Sequence, residues 1–95
     1  MAETLTQPDI DAALHSLPGW TQQGQTIVKE YEFGSFGEAV EFVNRIAEAA
    51  EAVDHHPDID IRFDKVRLAL STHSAGGLTT KDIMLAQEIE AVLQE

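Results

Sequence analysis

Two pairs of alternating segments limit this chain more than any other feature. In the later pair, Ile59, Ile61 and Phe63 alternate with Asp60, Arg62 and Asp64, and Val66, Leu68 and Leu70 alternate with Arg67, Ala69 and Ser71. A period of two places one set of side chains on each face of a pleated strand. The break between them, Asp64-Lys65, is far too short for a crossover, so the strands run antiparallel as a hairpin. The earlier pair, Trp20 to Gln23 and Thr26 to Phe33, meets across Gly24-Gln25 and predicts a second hairpin. Ile27, Tyr31 and Phe33 share one face of its longer strand, opposite Val28, Glu30 and Glu32.

Around the hairpins the period changes to that of a helix. Ser35 and Glu38 stand at capping-box spacing, and Phe36, Val40, Val43, Ala47 and Ala50 recur at three- and four-residue steps, which predicts a helix with that stripe on the core. It must end near Asp54-His55-His56-Pro57-Asp58, because proline drives its predecessor out of helical geometry. Thr6, Pro8, Asp9 and Asp11 open a first helix that carries Ile10, Ala13, Leu14 and Leu17 and stops at Pro18-Gly19. Beyond Ala75-Gly76-Gly77, Thr79 and Asp82 open a last helix carrying Ile83, Ala86, Ile89 and Leu93. The order is α-β-β-α-β-β-α. Hairpins separated by helices cannot build a parallel βαβ sheet, so the expected class is α+β, a four-stranded antiparallel sheet with helices packed on one face. With 43% hydrophobic residues, residues 1–95 are expected to form one domain around one core. An outer strand keeps an edge that another subunit can pair with.

Charge narrows the partners. Seventeen acidic against six basic residues give a net charge of −11, a field that repels phosphate backbones and anionic lipid, so neither nucleic acid nor a membrane surface is expected. No run approaches the ~20 apolar residues that cross a bilayer. The N-terminus has no basic start followed by a long apolar run, and cysteine is absent, which together predict a cytoplasmic protein. The same negative field favours protonated over neutral imidazole.

Three of the four histidines lie at breaks on the two sides of the later hairpin: His55 and His56 before its first strand, His73 after its second. An antiparallel hairpin brings those ends to one edge of the sheet, so the three imidazoles can converge. Adjacent strand residues point to opposite faces, and the turn at Pro57 is what lets His55 and His56 share a ligand. Gly76 and Gly77 permit positive φ or close approach just beyond His73, which suits a loop closing over a small molecule. Imidazole is the side chain best suited to proton transfer near neutrality, and Glu51, Asp54 and Asp82 lie close in sequence, so an acid–base site is one reading and a set of polar turn residues the other. A metal site ranks lower, because a helical histidine pair four apart and thiolates are both absent.

The segment Glu51-Ala52-Val53-Asp54-His55-His56-Pro57, with Phe63, Ser71-Thr72-His73 and Gly76-Gly77-Leu78-Thr79 with Asp82, closely resembles the signature of the pterin-4a-carbinolamine dehydratases. The spacing matches it throughout: an acid four before the His-His-Pro triplet, an aromatic six after its proline, a histidine ten later and an aspartate nine beyond. The resemblance implies dehydration of a 4a-hydroxytetrahydropterin, the product of aromatic amino-acid hydroxylases, to the quinonoid dihydropterin, with no metal or cofactor. It makes His55, His56 and His73 the catalytic positions, with His55 or His73 the acid at the leaving hydroxyl and His56 orienting the pterin or taking the second proton. It makes Glu51, Asp54, Pro57, Thr72, Asp82 and Trp20 binding or orienting positions. Glu51 and Asp54 would accept from pterin N–H groups or hold a histidine tautomer, and Trp20 would either pack on the flat ring or sit in the core. Phe63 stands where the family often has tyrosine, so no hydroxyl is needed there. The family forms homodimers and homotetramers, and a second function it allows is that of a non-catalytic dimerisation or binding module.

Overall fold

The computed structural model describes residues 3–94. The elements follow in the order α1 (Gln7–His15), β1 (Thr21–Gln23), β2 (Thr26–Glu32), α2 (Phe36–Val53), β3 (Asp58–Arg62), β4 (Lys65–Leu70), a 3-10 turn (His73–Ala75) and α3 (Thr80–Val92). The four strands form one antiparallel sheet in the order β1-β2-β4-β3, an α+β fold. No helix among the described residues is long and apolar enough to cross a membrane.

Alternation decides the layers. In central β4, Val66, Leu68 and Leu70 are fully buried, and directly opposite them in register stand Tyr31, Ile27, Ile61 and Ile59. Residues paired across an antiparallel ladder share a face, so all of these point one way. Buried residues from each of the three helices join that inward set in one cluster, which places the helices on one face of the sheet. Each fully buried aliphatic chain there contributes roughly 1.5–3 kcal/mol. The other face carries Glu30, Glu32, Asp60, Arg62 and Arg67 into water.

Caps set the helix starts. Thr6 accepts from Asp9 N–H at 3.4 Å and Ser35 from Glu38 N–H at 3.1 Å, each relieving an orphan donor of a first turn. Glu38 reaches back to Gly34 N–H at 2.8 Å rather than to Ser35, so the box closes one residue earlier than its spacing predicts.

Four details differ from the expected pattern. The core stripe of α2 is Ala39, Phe42, Ile46 and Ala50, while Phe36 is 53% exposed and Ala47 faces water. An 18-residue helix with apolar residues on much of its circumference offers two stripes of legal spacing, and the angle at which it docks selects one. The same choice on α3 buries Leu85 and leaves Leu93 39% exposed. The later hairpin turns on Phe63-Asp64, with Arg62 paired to Lys65, so Phe63 leaves the strand, takes φ 55° and is 71% exposed. As β3 is an edge strand beyond the reach of the helices, Ile59 and Ile61 are 38% and 37% exposed although they face the core side.

Candidate active site

The end of α2 aims the first histidine. Asp54 adopts a left-handed conformation (φ 52°, ψ 44°), its N–H bonding to Glu51 O at 3.3 Å and that of His55 to Ala50 O at 3.1 Å. This is a Schellman closure with aspartate where glycine is usual, a substitution that aspartate tolerates best among the charged residues. The chain reverses there, and Pro57 leads it into β3. His55 is turned inward, its side chain 11% exposed, while the His56 side chain is 54% exposed and only loosely paired with Glu51 at 3.5 Å.

His73 arrives from the other end of the hairpin. Thr72 N–H bonds Gly77 O at 3.0 Å, and Thr72 O accepts from Ala75 and Gly76 N–H at 3.0 and 3.1 Å, so a closed loop holds His73 at the start of the 3-10 turn. Its ring is exposed and makes no side-chain hydrogen bond among the described residues. His55, His56 and His73 line one open cleft of about 290 Å³ together with Asp54, Ser71, Thr72, Ser74 and Lys81. Ser74 and Lys81 are absent from the residues that the sequence singles out, and Ser71 enters there only within a strand and a motif, with no role of its own. The two serines flank His73 in the chain, which is the only signal that could have found them.

Asp82 is the anchor. It is fully buried in the first turn of α3, with Oδ1 2.6 Å from His55 Nε2. Its Oδ2 accepts from the Thr72 hydroxyl at 2.8 Å and from Thr79 N–H at 3.0 Å. Helix cap and histidine partner are therefore the same residue. A carboxylate only accepts, so His55 donates Nε2–H to it. The second ring nitrogen, Nδ1, has no partner among the described residues, yet none of their buried side-chain polar atoms lacks one, so Nδ1 reaches solvent. Asp54 is exposed and lines the cleft, Glu51 is exposed beside His56, and Pro57 is half-buried and not among the lining residues.

Two expected placements are corrected. Trp20 is 4% exposed in the core, edge-on to Tyr31 at 6.5 Å, with Nε1 bonded to Glu90 at 3.2 Å; it is not part of the cleft. Thr72, 3% exposed, does line the cleft, with its hydroxyl on Asp82. Gly76 does take positive φ (75°), but Gly76-Gly77 packs toward the N-terminal segment: a β-carbon on Gly77 would lie 3.3 Å from Thr4 Cγ2, and Leu5 N–H bonds Leu78 O at 2.8 Å. The glycine pair closes over that segment instead of over the histidines. No three His, Asp or Glu side chains among the described residues converge as a metal-ligand set.

Glu90 is a second inward carboxylate. Besides Trp20, Oε2 accepts from Lys29 Nζ at 3.0 Å and from the Tyr31 hydroxyl. Burial alone would raise the Glu90 carboxyl, but the hydrogen bonds from Tyr31 and Lys29, the Lys29 charge and the Trp20 N–H outweigh it and hold the group below the usual value. Burial first, then the bond to Glu90 and its charge, push the Tyr31 phenol well up.

The family described as Pterin 4 alpha carbinolamine dehydratase matches residues 3–92. A protein of Acidobacterium capsulatum that carries the pterin-4-alpha-carbinolamine dehydratase name is 54% identical over 89 residues, 94% of this chain and 97% of its own. Among solved structures, a Brucella melitensis protein described as a transcriptional coactivator/pterin dehydratase superposes with a TM-score of 0.91 at 33% identity, covering 95% of this chain and 98% of that one. A pterin dehydratase-like protein described as a RuBisCO assembly factor of the alpha-carboxysome shares the fold, with a TM-score of 0.66 at 23% identity over 78% of this chain and 88% of its own.

Proposed function

This chain belongs to the pterin-4-alpha-carbinolamine dehydratase family, and from that premise we propose that its three-histidine cleft dehydrates a 4a-hydroxytetrahydropterin to the quinonoid dihydropterin and water. The observation that carries the reading is His55, locked through Nε2 onto buried Asp82 while its ring lines one cleft with His56 and His73. The reaction moves two protons and no electrons. One goes to the C4a hydroxyl, whose C–O bond breaks as water leaves; the other comes off a ring nitrogen as the C=N bond forms. It therefore balances without a metal or redox cofactor.

His55 and His73 exchange these protons with the substrate. His55 acts through Nδ1, the atom that Asp82 leaves available, and His73 acts from a ring that no side-chain hydrogen bond among the described residues restrains. His56, paired loosely with Glu51, orients the pterin, while the exposed carboxylates of Glu51 and Asp54 accept from its amino and ring N–H groups. The substrate is the species that aromatic amino-acid hydroxylases release. A homodimer or homotetramer belongs to the same reading, supported by Ile59, Ile61 and Phe63 uncovered along an edge strand; light scattering that finds only monomer at micromolar concentration sinks it.

The test is the rate of dehydration of a 4a-hydroxytetrahydropterin generated in place by a hydroxylase, with wild type and His55→Ala side by side. Wild type accelerates the step, and His55→Ala loses on the order of 10²–10⁴ of that acceleration with its fold intact. No acceleration by wild type shifts the reading to a non-catalytic dimerisation or binding module, the role that the coactivator description of the Brucella relative keeps in view.

A further inference from the structure

On the Oδ2 side of Asp82 runs a short chain of buried hydroxyls. Thr72 is 3% exposed and Thr79 fully buried. Thr72 has one hydroxyl proton, and it goes to Asp82 Oδ2 at 2.8 Å. The 2.8 Å contact between the Thr72 and Thr79 hydroxyls is therefore donated by Thr79. Thr79 Oγ1 in turn accepts from Lys81 N–H at 3.2 Å. Every proton along Lys81, Thr79, Thr72 and Asp82 thus has one direction, and His55 closes the chain from the opposite side. Valine would fill the same space at position 72, so packing alone does not ask for a buried hydroxyl there.

We propose that Thr72 and Thr79 are positioning residues for His55: they hold the Asp82 carboxylate in the one orientation in which Oδ1 receives Nε2–H, and so select the tautomer that leaves Nδ1 as the free, accepting nitrogen. Without the Thr72 donor, Asp82 keeps only Thr79 N–H on Oδ2, its plane is free to turn, and the Thr79 proton loses its acceptor. The consequence for turnover rests on the dehydratase reading; the tautomer does not.

The experiment compares wild type, Thr72→Val and Thr72→Ser in the full chain, reading the ring ¹⁵N shifts of His55 at a pH where the ring is neutral, together with kcat and KM for dehydration. In wild type the neutral ring is the Nε2–H tautomer. Thr72→Val mixes the tautomers and lowers kcat roughly tenfold, the effect of one charge-assisted hydrogen bond, while KM stays within about twofold. Thr72→Ser, which restores the donor, recovers both. A wild-type ring protonated on Nδ1 overturns the proposal without any variant, even should Thr72→Val fail to fold. A folded Thr72→Val with unchanged tautomer and kcat overturns it too, as does a loss that Thr72→Ser fails to repair, since that loss belongs to packing. If wild type proves inactive, the dehydratase reading falls and the tautomer still decides the relay.

Discussion

Helix α3 turns two carboxylates into the protein, and their surroundings differ in kind. Asp82, in its first turn, accepts from the Thr79 N–H, the Thr72 hydroxyl and the His55 ring. Glu90, eight residues on, accepts from the Trp20 indole, the Lys29 ammonium and the Tyr31 hydroxyl. Each has three donors. Indole never titrates in water, and ammonium and phenol are types whose ordinary values lie far above neutrality. The Glu90 cluster is therefore a clamp that ties the end of α3 to β2 and to the turn after α1. Only the Asp82 cluster contains an imidazole, and only that donor opens onto a cleft. An inward carboxylate thus points to chemistry when its donor can exchange a proton and meet a ligand; the hydrogen-bond count is the same for a structural clamp.

The largest effect expected is at the first centre. Asp82→Asn keeps the volume but turns an acceptor into a group that also donates, so His55 loses the partner that selects its tautomer. Dehydration falls on the order of 10²–10⁴-fold, with the pH dependence of kcat altered. A rate within a few fold of wild type would show that the Asp82 carboxylate serves the helix cap alone and would erase the contrast with Glu90.

Next comes the clamp. Glu90→Gln removes the charge opposite Lys29 and weakens three hydrogen bonds, which costs roughly 2 kcal/mol in urea denaturation while the dehydration rate stays within about twofold. The pH dependence has a definite sign. The folded Glu90 value lies below the ordinary 4.5, so its contribution is present above that value and is lost as pH falls through the folded one. The stability gap between wild type and Glu90→Gln consequently closes in acid. Tyr31 is raised from its ordinary 10.0, so its contribution is intact below that value and is lost as pH climbs beyond it. A gap that persisted well below the carboxylate range would mean that the clamp works by packing.

Local chemistry was legible from the sequence wherever a few neighbouring residues decide it. Thr6, Ser35 and Thr79 cap the helices they were expected to cap, and both hairpins form, because cap and turn are settled within four residues. The helix stripes were less legible: Phe36 and Ala47 obey the same spacing as Phe42 and Ile46, and only docking against β4 separates them. Within the site, the two ends of the later hairpin do bring His55, His56 and His73 to one cleft, as antiparallel geometry requires. The burial of Thr72 and the contact between His55 and Asp82 join residues 10 and 27 apart, and no local rule encodes either.

Trp20 sharpens the contrast with the smallest effect. On sequence it was open to two roles, a platform for a flat ring or part of the core, since an aromatic after a Pro-Gly turn fits both. The fold puts it at 4% exposure with its N–H on Glu90, on the clamp side of α3. Trp20→Phe keeps an aromatic ring but loses that donor and some volume, so stability falls by about 1–2 kcal/mol. The KM for the pterin is unchanged, because no atom removed borders the cleft. A raised KM with unaltered stability would reverse the assignment, placing Trp20 with the substrate and leaving Glu90 to be held by Lys29 and Tyr31 alone.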